Sequence, residues 1–367
     1  MTRRKAVVAM SGGVDSSVAA ALLVDQGYDV TGIMLKLWRG EAANTDSGCC
    51  NVGAAEDARR VADVLDIPFY VLNFAEQFEE TVIRDFHDAY SSGLTPNPCV
   101  RCNQWVKFGT LLERADALGA DVLATGHYAR VRRDEGRYRL FRSADPRKDQ
   151  SYVLWMLTQH QLSRTLFPVG EMHKTETRRI AEELGLRTAA KPDSQEICFV
   201  RNGDLGSYIG ESLPSAAVPG PILDTEGRDI GEHRGIGRYT IGQRKGLGIS
   251  LGVPVYVTGI DAARGSITVG GANDLLVGGV KVTESSFVDR ALEPGTRILV
   301  QHRAHGEVAR GRVTNVTGES SAVEFDDPVA AVAPGQSLAF YTEDSEELLG
   351  GGVISETTPA RNRVTTS

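Results

Sequence analysis

"AMSGGVDSS", residues 9–17, decides how the first half of the chain is read. It follows the apolar run "KAVVAM" and runs into "SSVAAALLVDQG". A strand therefore ends at Met10, the chain turns tightly at Ser11-Gly12-Gly13, and Asp15-Ser16-Ser17 open a helix. Backbone N–H groups and hydroxyls then converge on a helix N-terminus, where the helix dipole favours an anion. This is the sequence of a phosphate cradle. It is not a Walker A loop, because no Lys-Ser/Thr pair follows the glycines at the required spacing. The plainer alternative is a glycine-rich turn capped by Asp15.

Outward from this turn, apolar runs alternate with helical patterns. "VTGIMLKL" precedes "AAEDARRVADVL", "PFYVLNF" precedes an amphipathic run to Tyr90, and "FGTLLERADALG" precedes "DVLAT". Strand and helix in turn predict an α/β fold with a doubly wound parallel sheet. Gly27 and Gly119 stand where two of the helices should stop. After residue 214 the text changes to Gly- and Pro-punctuated β-branched runs: "GRYTIGQRKGLGI", "PVYVTGID", "GSITVGG", "TRILVQHRA", "GRVTNVTG", "SAVEFDD" and "QSLAFYTE". These predict short strands in two small β-barrel domains. The expected boundaries are residues 1–200 for the α/β domain, 201–276 for a central β-rich domain, 277–357 for a last barrel, and 358–367 for a loose tail.

The 367 residues are 41% hydrophobic and 24% charged, an ordinary globular balance long enough for two or three cores. No run reaches membrane-spanning length, so the chain reads as cytoplasmic and without a membrane partner. Five cysteines do not make the disulfide framework of a secreted domain. Two of them, Cys99 and Cys102 in "NPCVRCN", could be a redox pair, half a metal site, or a nucleophile with a neighbouring thiol.

The S-G-G-x-D-S pattern resembles the PP-loop of ATP pyrophosphatases, the adenine nucleotide alpha hydrolase-like type, which split ATP between its α and β phosphates. The further stretches "TPNPCVRCNQWVKF", "LATGHYAR", "DPRKDQSYVLWML", "KPDSQEICFV", "IGQRKGLGI" and "PGQSLAFY...LLGGGVI" resemble, in order and along nearly the whole chain, the tRNA-specific 2-thiouridylase family. That resemblance implies ATP-dependent adenylation of the C2 oxygen of the wobble uridine, followed by sulfur transfer. It implies ATP and Mg2+ as cofactors, with Ala9, Met10, Ser11, Gly12, Gly13, Val14, Asp15, Ser16, Met34 and Gly126 at the nucleotide and Asp15 near the metal. Cys198 would carry the incoming sulfur as a persulfide and Cys102 would release it, the pair ending as a transient disulfide that a cytosolic reductant reopens. Asn97, Pro98, Cys99, Lys148, Asp149 and Gln150 match segments holding the target base and anticodon loop. His127, Arg303 and Gln336 match tRNA contacts, and Ala304 stands where the family often has an aromatic residue. Both reactive thiols read as sitting in polar, loop-like contexts. The implied partners are tRNAs of the lysine, glutamate and glutamine acceptors, and a persulfide-donating sulfur carrier or cysteine desulfurase.

Cys99 departs from the family pattern, in which that position is commonly Asp, a candidate acid/base. Its thiol adds an alternative sulfur carrier: an iron-sulfur cluster on Cys99, Cys102 and Cys198. Zinc is disfavoured because no fourth ligand stands at finger spacing. Cys49 and Cys50 have no assigned use. The net charge of -8 argues against a nucleic acid, but residues 130–150 hold eight Lys/Arg against four Asp/Glu, and 231–249 and 297–313 each hold four against one. A basic face, not a basic protein, is what RNA requires. The competing classes are another PP-loop ligase or amidotransferase, and a non-catalytic RNA-binding protein.

Overall fold

The structure is a computed structural model. It describes residues 3–37, 52–193, 197–200, 203–304 and 306–360; Cys49 and Cys50 lie outside them. The chain divides into two compact units. The first comprises Met1–Ile83, Pro98–Gly203 and Ser345–Leu349, and the second Arg84–Asn97, Asp204–Asp344 and Gly350–Ser367.

The first unit is built on a parallel sheet of β1 (Lys5–Ala9), β2 (Asp29–Lys36), β3 (Phe69–Asn73), β4 (Val122–Thr125) and, after an antiparallel hairpin β5 (Ala129–Asp134) and β6 (Arg137–Arg142), β7 (Thr165–Leu166). Their order is β3-β2-β1-β4-β7, so the winding reverses between β1 and β4. Open α/β sheets bind ligands at such a switch point, beyond the carboxyl ends of the strands. Helix α1 (Val14–Asp25) buries Val14, Val18, Ala19, Ala20, Ala21 and Leu23. Its apolar residues point nearly all round, as a helix enclosed by sheet and neighbours requires. With α2 (Val52–Val64) it packs on Ala6, Val8, Val30, Met34, Val122 and Ala124 of the sheet. Gly27 and Gly119 follow helix ends with φ of 80° and 73°, the stop conformation their positions predict.

Pro98 starts a helical rod that is α-helical over Pro98–Arg101, π-helical over Cys102–Leu111, and α-helical again over Leu112–Ala117. The loop-like context expected for Cys102 is therefore corrected. Proline is preorganised for a first helical position, and the rod it opens buries this thiol to 8% exposure. A π-helical stretch of this length is uncommon and marks functional sites more often than chance.

The second unit is β-rich. β8 (Gly220–Leu223), β9 (Asp229–His233), β10 (Tyr256–Asp261) and β11 (Ser266–Gly270) form a sheet in the order β10-β11-β8-β9. The run at 237–249, expected as a strand, is instead a 3-10 turn at Ile236–Arg238 followed by irregular chain. Gly242, Gly246 and Gly248 there take φ of 87°, 75° and 75°, which no strand accommodates. β12 (Leu276–Phe287), β13 (Arg297–Gln301), β14 (Ala309–Thr317), β15 (Ser320–Ala330), β16 (Ser337–Tyr341) and β17 (Glu347–Pro359) follow the order β12-β15-β14-β13-β16-β17, and β12 pairs back onto β17. The result is a closed six-stranded barrel without a free edge. Val280, Val282, Val300, Val313, Val323, Leu338, Phe340 and Ile354 are among its buried residues.

Candidate active site

The turn after β1 is locked by its own polar groups. The Ser11 N–H donates to Ser16 Oγ at 3.1 Å, and the Ser16 and Ser17 hydroxyls donate to Gly13 O at 3.1 and 2.8 Å. Gly12 has φ of 71°, and a Cβ there would stand 2.2 Å from Ala54 O in α2. No other residue fits both demands. Gly126, just past β4, approaches as closely: its Cβ would lie 2.6 Å from Ser16 N and 2.7 Å from Asp15 C. The ends of β1 and β4 and the first turn of α1 therefore meet around one small concavity lined by N–H groups, which suits an anion. Met34 lies buried in β2.

Asp15 is the acidic residue of that first turn. Lys174, which opens helix α3 (Lys174–Glu183), places Nζ 2.7 and 2.8 Å from its two oxygens. The Tyr128 hydroxyl lies 2.9 Å from Asp15 Oδ1 and 2.9 Å from Thr177 Oγ1. Burial, with the neighbouring carboxylates adding, raises the phenol far above its ordinary value, so it keeps its proton. Lys174 also reaches Asp193 Oδ1 at 2.7 Å. Asp193 is further held by Lys148 at 2.7 Å and Arg178 at 3.3 Å. Burial alone would raise the Asp193 carboxyl, but the Lys148 and Lys174 ammoniums override it and hold it below the ordinary carboxylate value. On the other side of the turn, Lys191 Nζ donates to Gly12 O and pairs with Asp57, both at 2.9 Å.

None of Lys174, Lys191, Asp193 and Tyr128 was marked by the sequence reading as a site residue. "KPDSQE" contains two of them, but Lys174 stands 159 residues from Asp15 and Lys191 stands 179 residues from Gly12. No local spacing could join them.

The expected base-contacting segment at 148–150 is tied down internally. Asp149 accepts from Arg142 (2.6 Å), from the N–H groups of Ser143 and Ser151, and from the Ser151 hydroxyl. Gln150 Oε1 accepts from Tyr128 N, and Lys148 is engaged by Asp193. His127 is buried between Phe108 and Phe167, each ring centroid 5.9 Å away, with Nδ1 2.7 Å from Thr125 Oγ1. Burial, with Lys107 adding, lowers its pKa well below the ordinary value and keeps the ring neutral. In the second unit, Gln336 Nε2 donates to the carbonyls of Thr95 and Pro96 at 2.9 and 3.1 Å, anchoring the chain just before Asn97. Arg303 donates to Ala331 O at 2.7 Å, and it and Ala304 are exposed.

Cys99 is exposed, Cys102 buried and Cys198 half-buried. The turn bearing Cys198 is pinned by Phe199, whose ring meets Phe78 edge-on at 5.8 Å. Pro98 is buried at the start of the rod. Among the described residues, no three His, Cys, Asp or Glu side chains gather to hold a metal ion. The three thiols therefore do not form the corner that an iron-sulfur cluster needs.

The basic stretch at 130–150 is less bare than its own composition suggests. Arg130 pairs with Glu346, Arg132 with Glu171 and Arg139 with Glu347, all acids from outside the stretch. In the last barrel, Arg297 pairs with Asp326 and Glu343. Among the described residues no helix is long and apolar enough to cross a membrane.

Three family models match consecutive parts of the chain: a tRNA methyl transferase HUP domain over residues 4–202, a tRNA methyl transferase PRC-barrel domain over 206–271, and an aminomethyltransferase beta-barrel domain over 277–354. Among curated relatives, the tRNA-specific 2-thiouridylase MnmA of Symbiobacterium thermophilum is 47% identical over 96% of this chain and 92% of its own length. The proteins of the same name from Natranaerobius thermophilus and Clostridium perfringens are 46% and 45% identical, over 98% and 96% of this chain and 99% of each relative. A 4-thiouridine synthetase–RNA complex with bound ATP is similar at a TM-score of 0.36 and 16% identity, over 58% of this chain and 51% of that one. With a phosphate-shaped turn at the sheet's switch point and near-full-length identity of this order, the chain belongs to the tRNA-specific 2-thiouridylase family.

Proposed function

We propose that the chain is an ATP-dependent tRNA sulfurtransferase that converts the wobble uridine to 2-thiouridine, with lysine, glutamate and glutamine tRNAs as acceptors. The observation that carries this reading is the Ser11–Ser16 cradle, closed by Gly12 against α2 and by Gly126 against α1, in the same unit as Cys102 and Cys198. A uracil C2 carbonyl is a poor electrophile, and adenylation of its oxygen makes that oxygen a leaving group. The N–H groups of the cradle would bind the ATP phosphates. Asp15 carries its charge at the mouth of the cradle, and Asp193 shares the same ammonium. Carboxylates of this kind together with phosphate oxygens suit magnesium, so Asp15 and Asp193 would hold it, and it would supply charge neutralisation on the phosphates.

Sulfur transfer follows from two thiols. Cys198 receives an outer sulfur from a persulfide donor. As the Cys102 thiolate bonds to the inner sulfur, the S–S pair leaves on the outer sulfur, which bonds to C2 while AMP departs. The Cys102–Cys198 disulfide so formed is reopened by a dithiol reductant. Catalysis belongs to the domain at residues 1–200, with RNA contacts from Asn97, Pro98, Cys99, Lys148 and Gln150 and from Arg303 in the barrel at 277–357. His127, Asp149 and Gln336 serve by holding that surface in shape. The test is to incubate the protein with unmodified tRNA, ATP and a persulfide donor, then seek mercury-retarded tRNA on a gel. Absence of thiolation with intact ATP and tRNA binding refutes the reading.

A further inference from the structure

The sequence of the cradle contains no cation, yet the fold brings one to it. Lys174 is fixed at the first position of α3, its backbone N–H donating to Asp145 Oδ2 at 3.1 Å, and the residue is only 8% exposed. Its ammonium faces three carboxylate oxygens, two on Asp15 and one on Asp193, and an ammonium has three protons to give them. The Tyr128 ring lies 5.6 Å from Nζ and confines it from another side. Lys148 and Arg178 also reach Asp193, but Lys174 spans Asp193 and the cradle's own Asp15. Lys191 lies behind the turn, spending its ammonium on Gly12 O and Asp57.

We propose that Lys174 both orients Asp15 and is the side-chain cation that contacts the leaving pyrophosphate. The proposal rests on the reading of the cradle as an ATP site given above. In the activation step uracil O2 bonds to the α phosphorus, the bond from that phosphorus to the bridging oxygen breaks, and the electron pair leaves on the pyrophosphate. No proton passes to or from Lys174. Negative charge therefore grows on the phosphate side of the first turn of α1, beside which this ammonium stands. A cation already buried, confined and helix-anchored needs no reorganisation when that charge develops, which is the condition under which such contacts accelerate a reaction most.

The full-length chain is assayed for tRNA-dependent pyrophosphate release as wild type, Lys174→Met, Lys174→Gln and Lys174→Arg. Lys174→Met and Lys174→Gln should lower kcat by about 10²-fold or more, with tRNA binding unchanged. Lys174→Arg should recover at least about tenfold of that loss, because it keeps the charge. Inhibition by added pyrophosphate should weaken about tenfold in the Met and Gln variants, an effect a purely structural lysine would not produce. A lowered melting temperature with kcat per folded molecule and pyrophosphate inhibition both at wild-type values, in whichever neutral variant folds, overturns the proposal. Wild-type protein that releases no pyrophosphate with tRNA and ATP overturns the ATP reading itself.

Discussion

Replacing Gly126 by alanine tests whether the cradle is as tightly closed as the geometry says. The added Cβ would stand 2.6 Å from Ser16 N, 2.7 Å from Asp15 C and 3.0 Å from Asp15 Cβ. The first two are backbone atoms and cannot swing aside. To restore ordinary contact near 3.4 Å, the end of β4 and the first turn of α1 must part by about 0.8 Å. Overpacking of this kind costs about 1–3 kcal/mol of stability. The larger effect falls on chemistry, because a displacement near 1 Å at a reacting centre costs about 10²-fold in rate. Pyrophosphate release at saturating tRNA should show kcat/KM for ATP reduced about 10²-fold, with tRNA affinity retained. Gly119→Ala is the control: it also strains a left-handed residue, at φ of 73°, but nothing lies within 4 Å of its Cβ and it does not touch the cradle. If Gly126→Ala keeps kcat/KM within twofold of the control, the cradle is not the nucleotide site.

Gly13→Ala should separate packing from ligand approach. The nearest atom to its Cβ is Ser11 Oγ at an ordinary 3.4 Å and its φ is -101°, so thermal unfolding should stay near wild type while KM for ATP rises at least about tenfold, the methyl blocking the phosphate. Unchanged ATP kinetics would mean the phosphates lie elsewhere. With labelled persulfide donor, Cys198→Ser should take up no label on the protein, whereas Cys102→Ser should take it up and fail to pass it to tRNA; equal labelling of the two variants refutes the assigned roles. The barrel should weaken in acid through His302, whose pKa burial, with Arg303 adding, lowers to about 4. Its ring is neutral in the fold but protonates near pH 6.5 when unfolded, so its contribution is complete above that pH and falls as pH drops toward 4. The loss is about 2 kcal/mol at pH 5, and denaturant unfolding of the wild type at pH 5 and 7.5 should show it while His302→Gln should not.

The parts of this molecule that could be read from sequence are those in which neighbours in the chain are neighbours in space. The 9–17 turn, the strand–helix alternation and the glycine stops at 27 and 119 are of that kind. Residues 237–249 misled because β-branched residues and Gly alternate there, and only backbone φ reveals that the glycines break the chain rather than punctuate a strand. Cys102 misled because a proline corner resembles a loop until the helix it starts is seen. The cations serving Asp15 and Gly12 lie beyond the reach of any local pattern, since Lys174 and Lys191 arrive through tertiary folding. Counting charge within a window failed for the same reason at 130–150, where the neutralising Glu171, Glu346 and Glu347 come from other segments.

The closure of the six-stranded barrel imposes an order on synthesis. β12 finds one partner in β15 soon after it is made, but its other edge waits for β17, with Val280 opposite Thr357. At ribosomal speeds of about 5–20 residues per second, that edge stands open for roughly 4–14 s. During this interval the nascent chain presents an unpaired strand rich in valine to every other unfinished copy on the same message. A premature stop after β16 would make the exposure permanent, so such truncations should accumulate in inclusion bodies rather than as a merely inactive enzyme.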